Sequence, residues 1–193
     1  EVIHETGDAS TVVIRPNGAW RGFVPGQHVQ FGVEVEGRRR VRVFSVSSSQ
    51  ANRDGTFSVS VKAHPDGYVS QFLHHELAPR TIIHLSQAEG EFVLPDELPD
   101  HLLLLSGGSG ITPVMSMIRT LRDRRYDGQV TFLHYARSRA DEMFSEELDQ
   151  LAEETDFGVI GVSTREREPE AALGGGFHVD HLKHLGVDAS DTL

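Results

Sequence analysis

"LLLLSGGSGITPVMSMIRTL", residues 102–121, runs four leucines into three glycines within four positions and then into a helix-like pattern. The solid apolar run reads as a strand buried on both faces, as strands of parallel sheets are. The glycines let the backbone turn tightly. A helix follows, with Thr112 as its N-cap and Pro113 as its first residue, where a missing N–H costs nothing. Val114, Met117, Ile118 and Leu121 repeat at helical spacing. Arg119, Arg122, Arg124 and Arg125 crowd the C-terminal end, where the helix dipole favours cations. Without a Cβ, Gly107, Gly108 and Gly110 let a diphosphate approach the backbone, and the N–H groups at the helix start add roughly 0.3 to 2 kcal/mol of dipole attraction. A turn that merely reverses the chain would also use glycine, but the flanking strand and helix favour the anion site.

Downstream, "VTFLHYA" and "VIGVS" are further apolar runs, and amphipathic helices are expected near 113–124, 141–154 and 179–185, in the β-α-β rhythm of a nucleotide-binding fold. Upstream the period is two. Val29, Phe31, Val33 and Val35 face one way, and Phe57, Val59 and Val61 repeat the pattern, with turn residues "PNG" and "RDG" between. One helix interrupts near residues 69–77, with Val69, Phe72, Leu73 and Leu77 on one face. The expected fold class is two domains. An antiparallel β-barrel or sandwich spans 1–97, and an α/β parallel-sheet nucleotide-binding domain spans 98–193, divided at the Pro- and acid-rich "LPDELPDH". The rhythm calls for another strand where the sequence stops at "DASDTL", so the second domain is expected to be incomplete at its C-terminus, and since no Met begins the sequence either, a trimmed fragment is expected.

The composition narrows the function classes. Against 29 Asp and Glu stand 18 Lys and Arg, a formal charge of -11, which argues against a nucleic-acid binder. The absence of cysteine excludes disulfides and Cys-ligated iron–sulfur clusters within these 193 residues. Neither a membrane span nor a signal peptide is indicated, so the expected location is the cytoplasm.

Pro113 stands where the dinucleotide fingerprint would carry its third glycine. With that departure "GGSGITP" resembles the pyridine-nucleotide loop of the ferredoxin-NADP reductase superfamily, Gly-Gly-x-Gly-Ile-x-Pro. The first half carries the same resemblance. "RVFSVSS" is similar to the family's Arg-x-Tyr-Ser strand, "VKAHPDGYVSQFL" to its Gly-x-x-Ser turn before a short helix, and "PGQHV" to its Pro-Gly-Gln strand opening. The resemblance covers roughly the whole chain. It implies that the barrel binds FAD, preferred to FMN on the family's habit.

In that setting Arg42 clamps the flavin phosphates through its forked guanidinium. Phe44 lies against the isoalloxazine, and Ser45, the one catalytic residue expected, hydrogen-bonds its N5. Val61, Lys62 and Gly67 are expected to bind the cofactor as well, and the N–H groups of Tyr68, Val69 and Ser70 form an anion nest. Gly107, Gly108, Gly110, Ile111, Thr112 and Pro113 hold the dinucleotide diphosphate.

In dinucleotide folds an acidic residue after the second strand favours NAD, whereas Arg accommodates the 2'-phosphate of NADP. Here that strand ends in Arg137, Ser138 and Arg139, and "STRE" resembles the family's 2'-phosphate grip with Arg165 as the cation, so NADP is favoured and NAD is possible. Ser138 with Asp141 is also a capping box, which would give the serine a purely helical role.

No metal is expected: His178, His181 and His184 recur every three residues, yet His178 precedes the expected helix and no Cys assists. The implied activity is a flavin-dependent oxidoreductase passing hydride from NAD(P)H to FAD and single electrons to an iron–sulfur protein or a removed C-terminal iron–sulfur domain. A reductase releasing free reduced flavin and a non-catalytic nucleotide-binding regulatory module are the alternatives. The family's Cys-Gly-Pro motif, which lies beside the nicotinamide, is absent from these residues.

Overall fold

The computed structural model describes residues 1–35, 37–165 and 173–186. The stretch "DASDTL", at which the domain is expected to break off before a further strand, lies outside these residues. The chain forms two compact units, one of Glu1–Leu98 with Ser109–Asp127 and the other of Pro99–Gly108 with the described residues from Gly128 onward.

The first unit is built on strands β1 (Val2–Thr6), β2 (Ala9–Ile14), β3 (His28–Val35), β4 (Arg38–Ser45) and β5 (Phe57–Lys62), helix α1 (Tyr68–His75) and the two-residue β6 (His84–Leu85). All pairings are antiparallel, in the orders β1-β2-β5 and β4-β3-β6, and an isolated bridge from Val46 to Val59 links the second sheet's chain to β5. Strict alternation supplies the core. Val29, Phe31 and Val33 point inward from β3, Phe57, Val59 and Val61 from β5, and Val69 and Leu73 close it from α1. The opposite face of β5 is also buried, although it is polar. Ser60 bonds Thr11 at 2.7 Å and Ser47 at 2.7 Å, and Ser58 bonds Ser47 at 3.0 Å, so each hydroxyl finds a partner.

The second unit holds a parallel sheet, β7 (His101–Gly107), β8 (Gln129–Ala136) and β9 (Gly158–Ser163), in the order β7-β8-β9. Helix α2 (Ile111–Asp123) follows β7 in the chain but clusters with the first unit, while α3 (Ser145–Glu154) and α4 (Val179–His184) belong to the second. Central β8 is buried along nearly its whole length.

The expectation that "LLLLS" is buried on both faces is corrected. Of β7 only Leu104 is buried and Leu105 is 39% exposed, because β7 is an outer strand of the sheet among the described residues. The helix expected from residue 141 begins at Ser145: a 3-10 turn occupies Arg139–Asp141, and buried Phe144 adopts a left-handed φ of 62° that resets the chain direction. His178 does precede its helix, as N-cap, its Nδ1 accepting from the Asp180 N–H at 3.3 Å.

Candidate flavin and dinucleotide site

Register fixes what β4 presents. Arg42 pairs with Phe31, Arg40 with Val33 and Phe44 with Val29, so Arg40, Arg42 and Phe44 share the face on which β3 points into the core. The β3 residues are buried; Arg40 and Arg42 are exposed and Phe44 is half-buried, since β4 forms the sheet's edge and its inward face opens to solvent. Phe44 packs edge-on against Phe31, ring centres 6.0 Å apart, which leaves the ring anchored at one side. Arg42 donates from Nη1 to the Val41 carbonyl at 2.8 Å and has no carboxylate partner among the described residues. It is therefore a cation available to an anion. Ser45, next along the strand, is half-buried.

Helix α1 stands beside β4. Its first helical bond runs from the Gln71 N–H to the Gly67 carbonyl, so the N–H groups of Tyr68, Val69 and Ser70 lie ahead of the ladder at the positive end of the helix. The Ser70 hydroxyl is committed to the turn: it donates to the Gly67 carbonyl at 2.9 Å and accepts from the His64 N–H at 3.1 Å. A Cβ on Gly67 would lie 2.4 Å from that hydroxyl. The Val61 side chain belongs to the core, and Lys62 pairs with Asp8 at 3.1 Å. Sequence reading missed Arg40, whose guanidinium carbon sits 5.6 Å from the centre of the Tyr68 ring; the run "RRRVR" was the available signal.

Thr112 is not the N-cap. Gly110 caps α2, the helix starts at Ile111, and the Thr112 hydroxyl donates to the Ser109 carbonyl at 3.1 Å from inside the first turn. The cause is a 3-10 turn over Gly108–Gly110 that winds directly into the helix, leaving Pro113 as its third residue. The Ile111 and Thr112 side chains are buried. Gly108 needs glycine for its φ of +52°. Gly110 does not: its φ is -65°, and a Cβ there would meet nothing within 4 Å. Neither backbone conformation nor packing requires glycine at 110, which fits a backbone kept bare for an approaching group.

At the ends of β8 and β9 the Arg165 N–H and the Ser163 hydroxyl donate to the Arg137 carbonyl, at 3.1 and 3.0 Å, holding the two exposed arginines on neighbouring strand ends. Arg139 is drawn away from this pair. It is bonded to the carboxylates of Glu142 and Asp149, and to the Ser145 carbonyl at 3.1 Å. Burial pushes the Glu142 carboxyl above its ordinary range, with Arg139 opposing the shift. Ser138 donates to Asp141 at 2.8 Å and caps only the 3-10 turn, not α3.

Among the described residues no group of three or more His, Asp or Glu side chains is arranged to hold a metal. His181 Nδ1 bonds the Tyr135 hydroxyl at 2.8 Å, and His74 bridges the Ser10 hydroxyl and the Gly7 carbonyl at 2.7 and 3.1 Å. A cavity of about 590 Å³, lined in part by Val12, Arg15, Trp20, Arg80, Ile82 and Gln87, contains none of the expected cofactor residues.

An antiparallel sheet unit, followed in the same chain by a parallel sheet whose first strand runs into a glycine-rich turn and a helix, is the architecture of a flavin- and pyridine-nucleotide-binding oxidoreductase. Family comparison agrees. Residues 9–94 match the oxidoreductase FAD-binding domain and residues 104–186 the oxidoreductase NAD-binding domain, and the chain belongs to the ferredoxin-NADP reductase type of flavin oxidoreductases. It is 41% identical to an NADPH oxidoreductase of Mycobacterium tuberculosis over 89% of its own length and 46% of the relative's. It is 36% identical to a glycine betaine monooxygenase reductase subunit of Chromohalobacter salexigens over 78% of its length and 41% of the relative's. The chain thus spans about half the length of the curated relatives it matches. A ferredoxin NADP+ reductase from Neisseria gonorrhoeae with bound FAD and NADP superposes with a TM-score of 0.76 at 25% identity, covering 96% of this chain and 73% of that one.

Proposed function

We propose that the chain is the reductase core of an electron-transfer enzyme, with residues 1–97 as its flavin half and 98–193 as its nucleotide half, working in the cytoplasm. FAD held here would supply the redox chemistry, hydride acceptance from NAD(P)H and release of single electrons to an iron–sulfur acceptor. The protein's part is position and electrostatics. Arg42 neutralises flavin phosphate together with the α1 N–H groups, Phe44 supports one face of the ring system, and the Ser45 hydroxyl orients N5. Arg137 and Arg165 carry the preference for NADPH. Arg139 is left out of that role, because two carboxylates already hold its charge.

The observation that carries this reading is the β4 row: an arginine without a carboxylate partner, then a half-buried aromatic, then a serine, in register beside the start of α1. The relative named as an oxygenase reductase subunit supports delivery of electrons to an oxygenase system. Anaerobic addition of NADPH, and separately NADH, to the FAD-reconstituted protein is the test. Bleaching of the flavin band, faster with NADPH, is expected, followed by recovery when a one-electron iron–sulfur acceptor is added. Binding of FAD without bleaching by either nucleotide would sink the enzymatic reading and leave a nucleotide-binding module.

A further inference from the structure

We propose that the cavity of about 590 Å³ between β2 and the segment Leu77–Gln87 binds an amphipathic monoanion, an alkyl chain ending in a carboxylate. Its volume falls within the roughly 300 to 1,000 Å³ of small-molecule sites. The floor is apolar and continuous with the core of the first unit: Val12 and Ile14 belong to that core, and Trp20, Ile83 and Leu85 are half-buried against it. One wall is fixed in advance. The Trp20 ring stacks on Phe57, centres 4.6 Å apart and 7° from parallel. Gln87 straps the same loop, donating to the Ala19 carbonyl at 2.9 Å and accepting from the Arg21 N–H at 3.0 Å.

Arg80 carries the choice of ligand. Thr81 returns to the Ala78 carbonyl through its N–H at 3.3 Å and its hydroxyl at 2.7 Å, so Pro79 and Arg80 are the central residues of a tight turn. Arg80 there has a φ of 71°. After a proline, a left-handed second residue calls for glycine, and an arginine in its place holds backbone strain that the turn itself does not need. What the arginine adds is a guanidinium in the cavity lining, with no carboxylate bonded to it among the described residues. Arg15 is a second cation of the lining; it acts on Asp54, but that carboxylate already accepts from the Thr56 N–H and hydroxyl at 2.7 and 2.6 Å. Against these two cations the lining carries one acid, Glu1. The apolar floor selects hydrocarbon, and the unmatched guanidinium selects a carboxylate, whose two oxygens fit its fork. Ile82, in the lining yet 88% exposed, gains cover from the same chain. None of these residues is proposed to touch flavin or nucleotide, so the site stands or falls apart from the electron-transfer reading.

Trp20 is the single tryptophan of the sequence, so its emission reports on this cavity alone. The test titrates the FAD-loaded protein with octanoate, octanol and octyltrimethylammonium while following Trp20 emission and flavin fluorescence. Octanoate is expected to change the Trp20 signal saturably and to bind about tenfold more tightly than octanol, with the ammonium weakest. Arg80→Gly suits the turn and removes the guanidinium. It should melt no lower than the parent, yet bind octanoate no better than octanol; Arg80→Lys, which keeps the charge, should retain part of the preference. Equal affinity for the three probes, a preference that survives Arg80→Gly, or no saturable change at Trp20 would each overturn the site. Release of FAD by octanoate would overturn it as well, because the acid would then be competing at the flavin.

Discussion

Gly110 separates folding from binding at a single residue. Its φ is negative and the space above it is empty, so Gly110→Ala is expected to change stability by no more than about 1 kcal/mol, the cost of a poorer cap. The added methyl should nonetheless raise KM for NADPH roughly tenfold if a diphosphate sits there. Denaturation and steady-state kinetics on one preparation check both halves; a KM unchanged with stability unchanged would mean the glycine is idle.

The arginines at the sheet ends divide in the same way. Arg137→Ala or Arg165→Ala should raise KM for NADPH about tenfold and leave that for NADH alone. Arg139→Ala should leave both and instead destabilise by about 1–3 kcal/mol near neutral pH, since it strands the buried Glu142 carboxylate; the figure is reduced because Arg139 is half exposed.

The pH dependence has a defined sign. Glu142 has a folded pKa raised above the unfolded value, so between the two the unfolded state binds fewer protons and stability falls as pH rises through that window. Below the unfolded value the carboxyl is protonated in both states, and the loss caused by Arg139→Ala should shrink there. Urea midpoints measured from pH 4 to 8 for both proteins read this directly.

At the scale of elements, what was legible is what periodicity encodes. Alternation in Val29–Val33 and Phe57–Val61 marked the inward faces of β3 and β5, and the 3.6-residue repeat marked α2 to within two residues of its start. Boundaries set by backbone geometry were not legible. Nothing in the composition of "RSRADEMF" announces that Phe144 takes a left-handed conformation and delays α3 by four residues. The buried hydroxyls of Thr11, Ser47, Ser58 and Ser60 also escaped, because alternation reads a polar face as solvent-facing unless the partner that covers it is known.

Helix α2 belongs to that hidden part. Its Ser116 hydroxyl donates to the Ser48 carbonyl at 2.8 Å, Arg119 to the Ser47 carbonyl at 2.6 Å, and the Gln50 N–H donates to Thr120 at 3.0 Å. The closest approach is at Gly26, φ +103°, where a Cβ would lie 2.1 Å from the Phe92 carbonyl oxygen and 2.5 Å from the Met117 methyl. Gly26→Ala is therefore expected to cost about 2–4 kcal/mol, from strain and overpacking together. A thermal midpoint within 2 °C of the parent would refute the packing.

For the whole molecule, the division into two units makes α2 the discriminating segment. It lies between β7 and β8 in the chain, yet Ser109–Asp127 clusters with Glu1–Leu98. Every residue proposed to touch FAD, from Arg42 to Ser70, is in that same unit. A ligand that binds only the folded form protects whatever unfolds cooperatively with its site, by a factor of 1 + [L]/Kd. At FAD concentrations 100 times Kd, amides that exchange only when the first unit opens should therefore slow roughly a hundredfold. Those of β2, β3 and β5 should do so, and the amides of α2 should join them. Amides of β8 and β9, which exchange through opening of the second unit, should change little. Hydrogen exchange followed by mass spectrometry resolves these segments in one experiment. If α2 instead keeps the protection of β8, its hydrogen bonds to Ser47, Ser48 and Gln50 do not couple it to the flavin unit.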